Sequence, residues 1–223
     1  MKIVGIQSSP RGKKSITLKL LDAALDGAAE VGAEVEAIDV TKLNIKYCTA
    51  CDSCNETGVC SIKDDFNVVL GKLLTADGII WSSPNYIKNV TAQLKTLFDR
   101  SPLIVHEQLF DGKYGFSLTT AGSGDVDFVL DIMNNYMINC GGNIIGGVGC
   151  TVAQGPSALV AAIEKSQEMG KDLVKAIKKK RQYPEQEDAH KAWRERFKYV
   201  LIANKDHWTH NCNYWAEKGW IQE

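Results

Sequence analysis

Apolar positions along this chain alternate between two periods. Short runs rich in β-branched and aliphatic residues read as strands: "KIVGIQ" (2–7), "EVEAIDV" (34–40), "GIIWSS" (78–83), "KYGFSLTT" (113–120) and "NIIGGVG" (143–149). Between them, segments 15–31, 63–75, 90–100 and 125–141, with a fifth at 156–180, have helical length and spacing. Parallel strands need a return of helical length, so this alternation predicts a parallel sheet with helices on both faces. Five strands predict an α/β, flavodoxin-like, doubly wound sheet in the order 2-1-3-4-5.

The pattern changes after "KAIKKKRQYPEQEDAHK", a charged stretch that contains Pro184 and reads as a linker off the last helix. Lys178–Arg181 reads as a solvated helix end, where cations also suit the dipole. The segment beyond holds four of the five tryptophans: Trp193, Trp208, Trp215 and Trp220. The expected organisation is a flavodoxin-like domain over 1–181 and a helical, aromatic-rich extension over 182–223. The extension has three possible seats: the domain itself, a sister subunit, or the active site.

Composition adds limits. At 223 residues, with 44% hydrophobic and 24% charged residues, the chain suits one large domain or a domain plus an extension. A net charge of −1 gives no electrostatic reason to expect nucleic acid or an anionic membrane as partner. No apolar run reaches a membrane span, and the apolar stretch of "MKIVGIQSSP" is too short for a signal peptide. The expected location is cytoplasmic, where stable disulfides are rare. Clustered cysteines there point to metal binding or redox chemistry.

Ligands of a doubly wound sheet sit beyond the carboxyl ends of the strands where strand order reverses, here between the first and third strands. The loop after the first strand, "QSSPRGKKSIT", offers hydroxyls (Ser8, Ser9, Ser15, Thr17), a guanidinium (Arg11) and helix-start amides. Those are the parts of a phosphate site. Neither a Walker loop nor a G-x-G-x-x-G fingerprint is present. The competing reading is a serine-rich turn that only caps a helix. After the third strand, "SSPNYIKNVTAQLKTLFDR" (82–100) sets Ser83, Pro84, Asn85 and Tyr86 at the crevice. An isoalloxazine ring needs flat apolar contact and backbone groups for its pyrimidine edge, and a Pro-Asn-Tyr turn supplies both. After the fourth strand, "TTAGSGDVD" (119–127) carries Thr120, Ala121, Gly122, Ser123 and Gly124, whose glycines permit close backbone approach to a ring. Three loops at one sheet edge predict a site for flavin mononucleotide (FMN).

"KYCTACDSCNETGVCSIKDD" (46–65) places four of the seven cysteines, Cys48, Cys51, Cys54 and Cys60, in a C-x2-C-x2-C-x5-C array. Four thiolates on one loop satisfy an iron–sulfur cluster or a tetrahedral zinc; close thiols could also stay unligated as a redox pair. The overlapping spacing favours a cluster, since structural zinc usually takes two separated C-x2-C pairs. The loop also leaves the same carboxyl edge as the flavin crevice, so both centres are expected to open on one rim. Asp64 and Asp65 read as the start of the next helix. Cys140, Cys150 and Cys212 read as small buried hydrophobes. His106, His190, His207 and His210 form no metal-ligand spacing.

The stretches "SSPRGKKSIT" and "SPNYIKNVTAQLKTLFDR" resemble the signatures of the NAD(P)H-dependent FMN reductase superfamily. With the compact cysteine loop, the resemblance narrows to the iron–sulfur flavoproteins and covers roughly residues 1–180. It implies that Ser9, Arg11, Ser15 and Thr17 hold the FMN phosphate, and that Pro84, Asn85, Tyr86 and Thr120–Gly124 hold the ring. It further implies a [4Fe–4S] cluster on Cys48, Cys51, Cys54 and Cys60, and a homodimer or dimer of dimers that brings clusters and flavins of different subunits together. Ser8 departs from the family's usual glycine. The tail from about 183 onward is longer than the resemblance leads one to expect.

The reading that follows is an FMN-dependent oxidoreductase that passes electrons from a ferredoxin-like donor through the cluster to FMN and on to a small-molecule acceptor. No catalytic triad is recognisable; Tyr86 is a candidate proton donor, with ring contact as its other duty. One alternative is an NAD(P)H-dependent FMN or quinone reductase whose cysteines hold zinc or nothing. Another is a flavodoxin-like carrier or ligand-binding module without turnover.

Overall fold

The first strand, β1 (Lys2–Gln7), is buried from Ile3 to Gln7 and lies inside a five-stranded sheet, second from one edge. The computed structural model describes residues 1–124 and 126–221. β2 (Glu34–Asp39), β3 (Gly78–Pro84), β4 (Tyr114–Ala121) and β5 (Asn143–Thr151) complete the sheet, all parallel, in the order β2-β1-β3-β4-β5. Every residue of β4 is buried, as a strand covered on both faces must be. The expected strands agree with these bounds within two residues at either end.

The crossovers are α1 (Ile16–Glu30), α3 (Phe66–Thr75), α4 (Ala92–Asp99) and α6 (Val126–Asn139), and α7 (Pro156–Lys179) follows the last strand. Asp125, the first position of the helix expected over 125–141, lies outside the described residues. Two five-residue helices, α2 (Ser53–Thr57) inside the cysteine loop and α5 (Pro102–His106) after α4, were not expected. α1 and α7 cover one face of the sheet. They cross so closely that a Cβ on Gly170 would stand 1.9 Å from the Ala24 carbonyl oxygen, and one on Gly27 2.0 Å from that of Gln167. Backbone packed on backbone at that distance admits only glycine. α3, α4, α5 and α6 bury Phe66, Leu94, Ile104 and Met133 on the other face, around Trp81.

The expected linker around Pro184 is corrected. Only residues 180–183 separate α7 from α8 (Pro184–Ala203), because Pro184 occupies a first-turn position where its missing N–H costs nothing. α9 (Thr209–Glu217) follows. Of the three seats left open by the sequence, the tail takes the domain itself. Gln186 accepts from the Ile144 N–H at 2.7 Å and donates to the Ile144 carbonyl at 2.8 Å, covering the open edge of β5. The ring of His190 bonds the Gly142 carbonyl, and Arg194 donates to Gln108. α9 packs on α2, with Trp215 fully buried and its indole N–H donating to the His106 carbonyl at 2.9 Å. Gln222 and Glu223, the end of the expected extension, lie outside the described residues. No described helix is long and apolar enough to cross a membrane.

Candidate functional site

At the carboxyl ends of β1, β3 and β4, a cleft of about 170 Å³ is lined by Arg11, Ile16, Thr17, Pro84, Asn85, Tyr86, Thr120, Ala121, Gly122 and Val152. Eight of these belong to the set read from the sequence; Ile16 and Val152 do not. Arg11 is exposed at the mouth. Ile16 and Thr17 form the first turn of α1, whose N–H groups have no partner within the helix and whose dipole favours an anion. The Thr17 and Thr120 hydroxyls stand 2.5 Å apart, joining the first and third loops.

The remaining expected residues do not line the cleft. Ser15 is the N-cap of α1, its Oγ accepting from the Leu18 N–H at 3.1 Å, so the capping reading holds for that hydroxyl. Ser9 is buried, its N–H donating to the Gln7 side chain and its carbonyl accepting from Gln7 Nε2 and the Gly12 N–H. Ser83 accepts from the Thr91 N–H at 2.9 Å, and Ser8 donates to the Ser82 carbonyl at 2.8 Å. These serines hold the loops in register. Ser123 and Gly124 are exposed beyond the rim.

The donor set fits FMN. A cation, a hydroxyl and helix-start amides sit at one side, and the Pro84–Tyr86 turn with the small Ala121 and Gly122 at the other. A Cβ built on Gly122 meets no atom within 4 Å, leaving open space where a ring can approach. The cleft is smaller than the roughly 300–1,000 Å³ of an enclosed ligand pocket. It is therefore a surface groove that takes the edge of a planar molecule. Just past it, Ile87 and Lys88 both have positive φ (52° and 57°) in a turn closed by Tyr86 and Asn89. Ile87 is wholly exposed there.

The four cysteines line a second cavity, of about 280 Å³, together with Asn55, Arg100, Pro102, His106 and Trp208. Ala50 and Asp52 adopt left-handed backbone (φ 50° and 57°) between the first three thiols, a strain that clusters at functional loops. Gly58 (φ 76°) ends α2, and a Cβ there would meet the His210 ring at 2.4 Å. The loop is anchored at its base by carboxylates. Asp65 accepts from the Asn44 N–H at 2.8 Å, and Asp64 from the Lys46 N–H at 2.9 Å. Asp64 thus does more than start α3: it pairs with Arg100 at 2.7 Å, and neither side chain is accessible to solvent.

Arg100 caps α4 and reaches under the loop. Its Nη1 donates to the Lys46 carbonyl and to Asp64, each at 2.7 Å, and its Nη2 to Cys60 Sγ at 3.2 Å; its guanidinium lies 4.7 Å from the Phe66 ring centre. Burial pushes the Asp64 carboxyl up, but bonds from Arg100 and from the Lys46 and Phe66 N–H groups outweigh it and hold the group below its usual range. Burial, with the neighbouring Cys60, Cys48 and Cys51, raises the Cys54 thiol to about 11. Hydrogen bonding, chiefly with the Ser53 backbone, lowers the Cys51 thiol.

Chemically, this donor set fits a thiolate-ligated group. All four cysteines line one cavity, and a permanent cation donates to the sulfur of Cys60. Among the described residues, no three His, Cys, Asp or Glu side chains stand close enough to hold a single metal ion. Arg100, Asn55, His106 and Trp208 were not assigned to this site from the sequence; only the terminal D-R of the 82–100 motif carried a signal. Cys140 and Cys150 are buried as expected, whereas Cys212 is half-buried on the tail.

The two cavities share no lining residue. α4 begins just past the Pro84–Tyr86 loop and ends at Arg100, and its eight residues span about 12 Å. The expectation of one shared rim is corrected: pinned by Asp64, Asp65 and Arg100, the cysteine loop folds down the α3–α4–α5 face. The tail closes over the cysteines, with the Trp208 and His106 rings stacked at 5.2 Å and Thr209 donating to the Glu56 carbonyl.

The sequence profile of the NADPH-dependent FMN reductase family matches residues 1–156. An iron-sulfur flavoprotein of Archaeoglobus fulgidus is 35% identical over 225 residues, covering 99% of this chain and all of the relative. One from Methanocaldococcus jannaschii is 34% identical over 195 residues, covering 80% of this chain and all of the relative. The first alignment takes in the helical tail, so the expectation that the tail exceeds the family does not hold for that relative. Among solved structures, an NAD(P)H:quinone oxidoreductase from Methanothermobacter marburgensis shares the fold, with a TM-score of 0.63 at 19% identity over 78% of this chain and 96% of that one. The chain belongs to the iron–sulfur flavoproteins of the NADPH-dependent FMN reductase family, and is a flavoprotein oxidoreductase.

Proposed function

We propose that this chain is an electron-transfer oxidoreductase in which a [4Fe–4S] cluster on Cys48, Cys51, Cys54 and Cys60 relays electrons from a ferredoxin-like donor to FMN, which reduces a small-molecule acceptor. FMN exchanges electrons singly or in pairs and the cluster one at a time, so together they convert one kind of traffic into the other. The observation that carries this reading is the second cavity: four thiols around one space, with Arg100 donating to Cys60.

The chain's residues have definable parts. Arg11, Thr17 and the first turn of α1 bind the FMN phosphate; Pro84, Asn85, Tyr86, Thr120, Ala121 and Gly122 seat the ring. Ser9, Ser15 and Ser83 shape those loops from behind, and Ser123 and Gly124 border the acceptor's approach. Tyr86, 42% exposed, stands where it can contact the ring or give a proton to the acceptor. Because the two cavities lie towards opposite ends of α4, the reading includes a homodimer or dimer of dimers that sets one copy's cysteine cavity near another's flavin cleft. Exposed Tyr86 and Ile87 beside the cleft suit such a contact.

A second reading is an NADPH-dependent FMN reductase with no cluster. The family match favours it. Anaerobic purification with iron, acid-labile sulfide, zinc and flavin assays separates the two. Four irons and one FMN per chain support the cluster; one zinc without sulfide, or FMN alone with NADPH oxidation intact, supports the second reading.

A further inference from the structure

We propose that Arg100 is the positioning residue of the cysteine centre, clamping Cys60 and Lys46 to α4 and setting the reduction potential of the group the four thiolates hold. This rests on the cluster reading above. Arg100 closes the D-R end of the 82–100 motif, whose earlier part serves the flavin cleft, yet its guanidinium faces the other cavity. It is the C-cap of α4, so its backbone position is fixed by the helix and its side chain crosses to the loop.

The contacts are those of a built second layer. One nitrogen, Nη1, bridges the Lys46 carbonyl, two residues before Cys48, and Asp64, four after Cys60. Both ends of the cysteine segment are therefore tied to one cation. The other nitrogen, Nη2, divides its bonds between Cys60 Sγ (3.2 Å) and Asp64 Oδ1 (3.2 Å). The Phe66 ring packs on the guanidinium, and Nε is buried without a hydrogen-bond partner. A buried arginine with an unpaired N–H is an expensive way to anchor a loop. A neutral side chain with two donors would tie down Lys46 at less cost. Two buried groups call for the charge, the Asp64 carboxylate and the Cys60 sulfur, and only the sulfur belongs to the cysteine centre.

Hydrogen bonds to ligand sulfurs and local charge set the potential of thiolate-bound iron centres. When one electron arrives from an external reductant, with no proton taken up, negative charge grows on the sulfurs. An N–H donor with a fixed positive charge favours that reduced state. Asp64 meets both Nη1 and Nη2 and offsets much of the cation's charge, its own being shared with the Lys46 and Phe66 amides, so the effect on the sulfur rests on the N–H that Nη2 donates to Cys60. Arg100 therefore raises the potential. Because the guanidinium does not deprotonate at any working pH, it does so without pH dependence.

The test uses full-length protein, isolated anaerobically with its FMN, as wild type, Arg100→Lys, and the double variant Arg100→Leu/Asp64→Asn, which removes the N–H donor to Cys60 and leaves no buried carboxylate uncompensated. Iron, sulfide and FMN are counted, and the midpoint of each cofactor is read by a dithionite titration followed by electron paramagnetic resonance and visible absorption. The expected result is a cluster midpoint displaced to more negative potential in the double variant, near wild type in Arg100→Lys, with the FMN midpoint and stoichiometry unchanged in both. Equal cluster midpoints in all three proteins would overturn the role of Arg100 while leaving the cluster reading intact. Wild-type protein that holds FMN but neither iron nor sulfide would overturn both.

Discussion

Gly122 and Arg11 sit at opposite sides of the flavin cleft and make opposite demands on it. A Cβ on Gly122 meets no protein atom within 4 Å and the position is exposed, so Gly122→Leu should leave the thermal stability of the flavin-free protein nearly unchanged and weaken FMN binding about tenfold. Titration of flavin fluorescence reads the second effect, and an unchanged affinity would remove Gly122 from the cleft. Arg11 is exposed, so its charge-assisted contact belongs near the low end of such bonds, about 1.5 kcal/mol. Arg11→Ala should loosen FMN about tenfold, and less so as salt is added. Glu107 tests burial rather than binding. Only 2% exposed, it accepts from Asn211 at 2.8 Å, and burial pushes its carboxyl up to about 7. A folded pKa above the unfolded one means that the group's contribution is full below about pH 4 and is lost as pH rises through about 7. Glu107→Gln keeps an acceptor and never ionises. It should match wild type in urea denaturation at pH 4 and exceed it by about 1–2 kcal/mol at pH 8, the figure reduced because His210 stands 3.2 Å away. His106, which burial lowers to about 4, has the opposite dependence but is common to both proteins and cancels in the difference.

Elements differ in how plainly they were written in the chain. The strands and the long crossover helices declared themselves through apolar period, since each must bury a face on the sheet. The five-residue helices α2 and α5 did not, because a single turn holds too little period to detect. α8 was hidden by Pro184, which reads as a break yet is at home in a helix's first turn. The flavin loops could be read because α/β topology fixes where such loops meet. Arg100, Asp64 and Trp208 could not be placed, since their pairing spans distant segments and depends on how the loop folds down. The seating of α9 turns on Gly58, which needs both its positive φ and the absence of a Cβ beneath His210. Gly58→Ala should cost about 1–2 kcal/mol from backbone conformation alone and free the tail. Faster proteolytic clipping after Tyr183, with FMN retained, is the expected readout; a clipping rate equal to wild type would mean that α9 does not rest on α2.

At the scale of the whole molecule, one sheet carries a flavin groove beyond its carboxyl edge and a cysteine cavity on its flank, roofed by the tail. Within one chain they are set apart along α4, and the proposed homo-oligomer is what would set one copy's cysteine cavity near another's flavin cleft. In the proposed function the cysteine cavity feeds the flavin. Stopped-flow reduction of the flavin in anaerobic wild type and Cys51→Ala, each loaded with FMN, tests it most directly, with a reduced ferredoxin as one donor and NADPH as the other. The account predicts that Cys51→Ala keeps FMN but loses at least a hundredfold in the rate of flavin reduction by ferredoxin, with any reduction by NADPH unchanged. Equal rates with ferredoxin in the two proteins would contradict it.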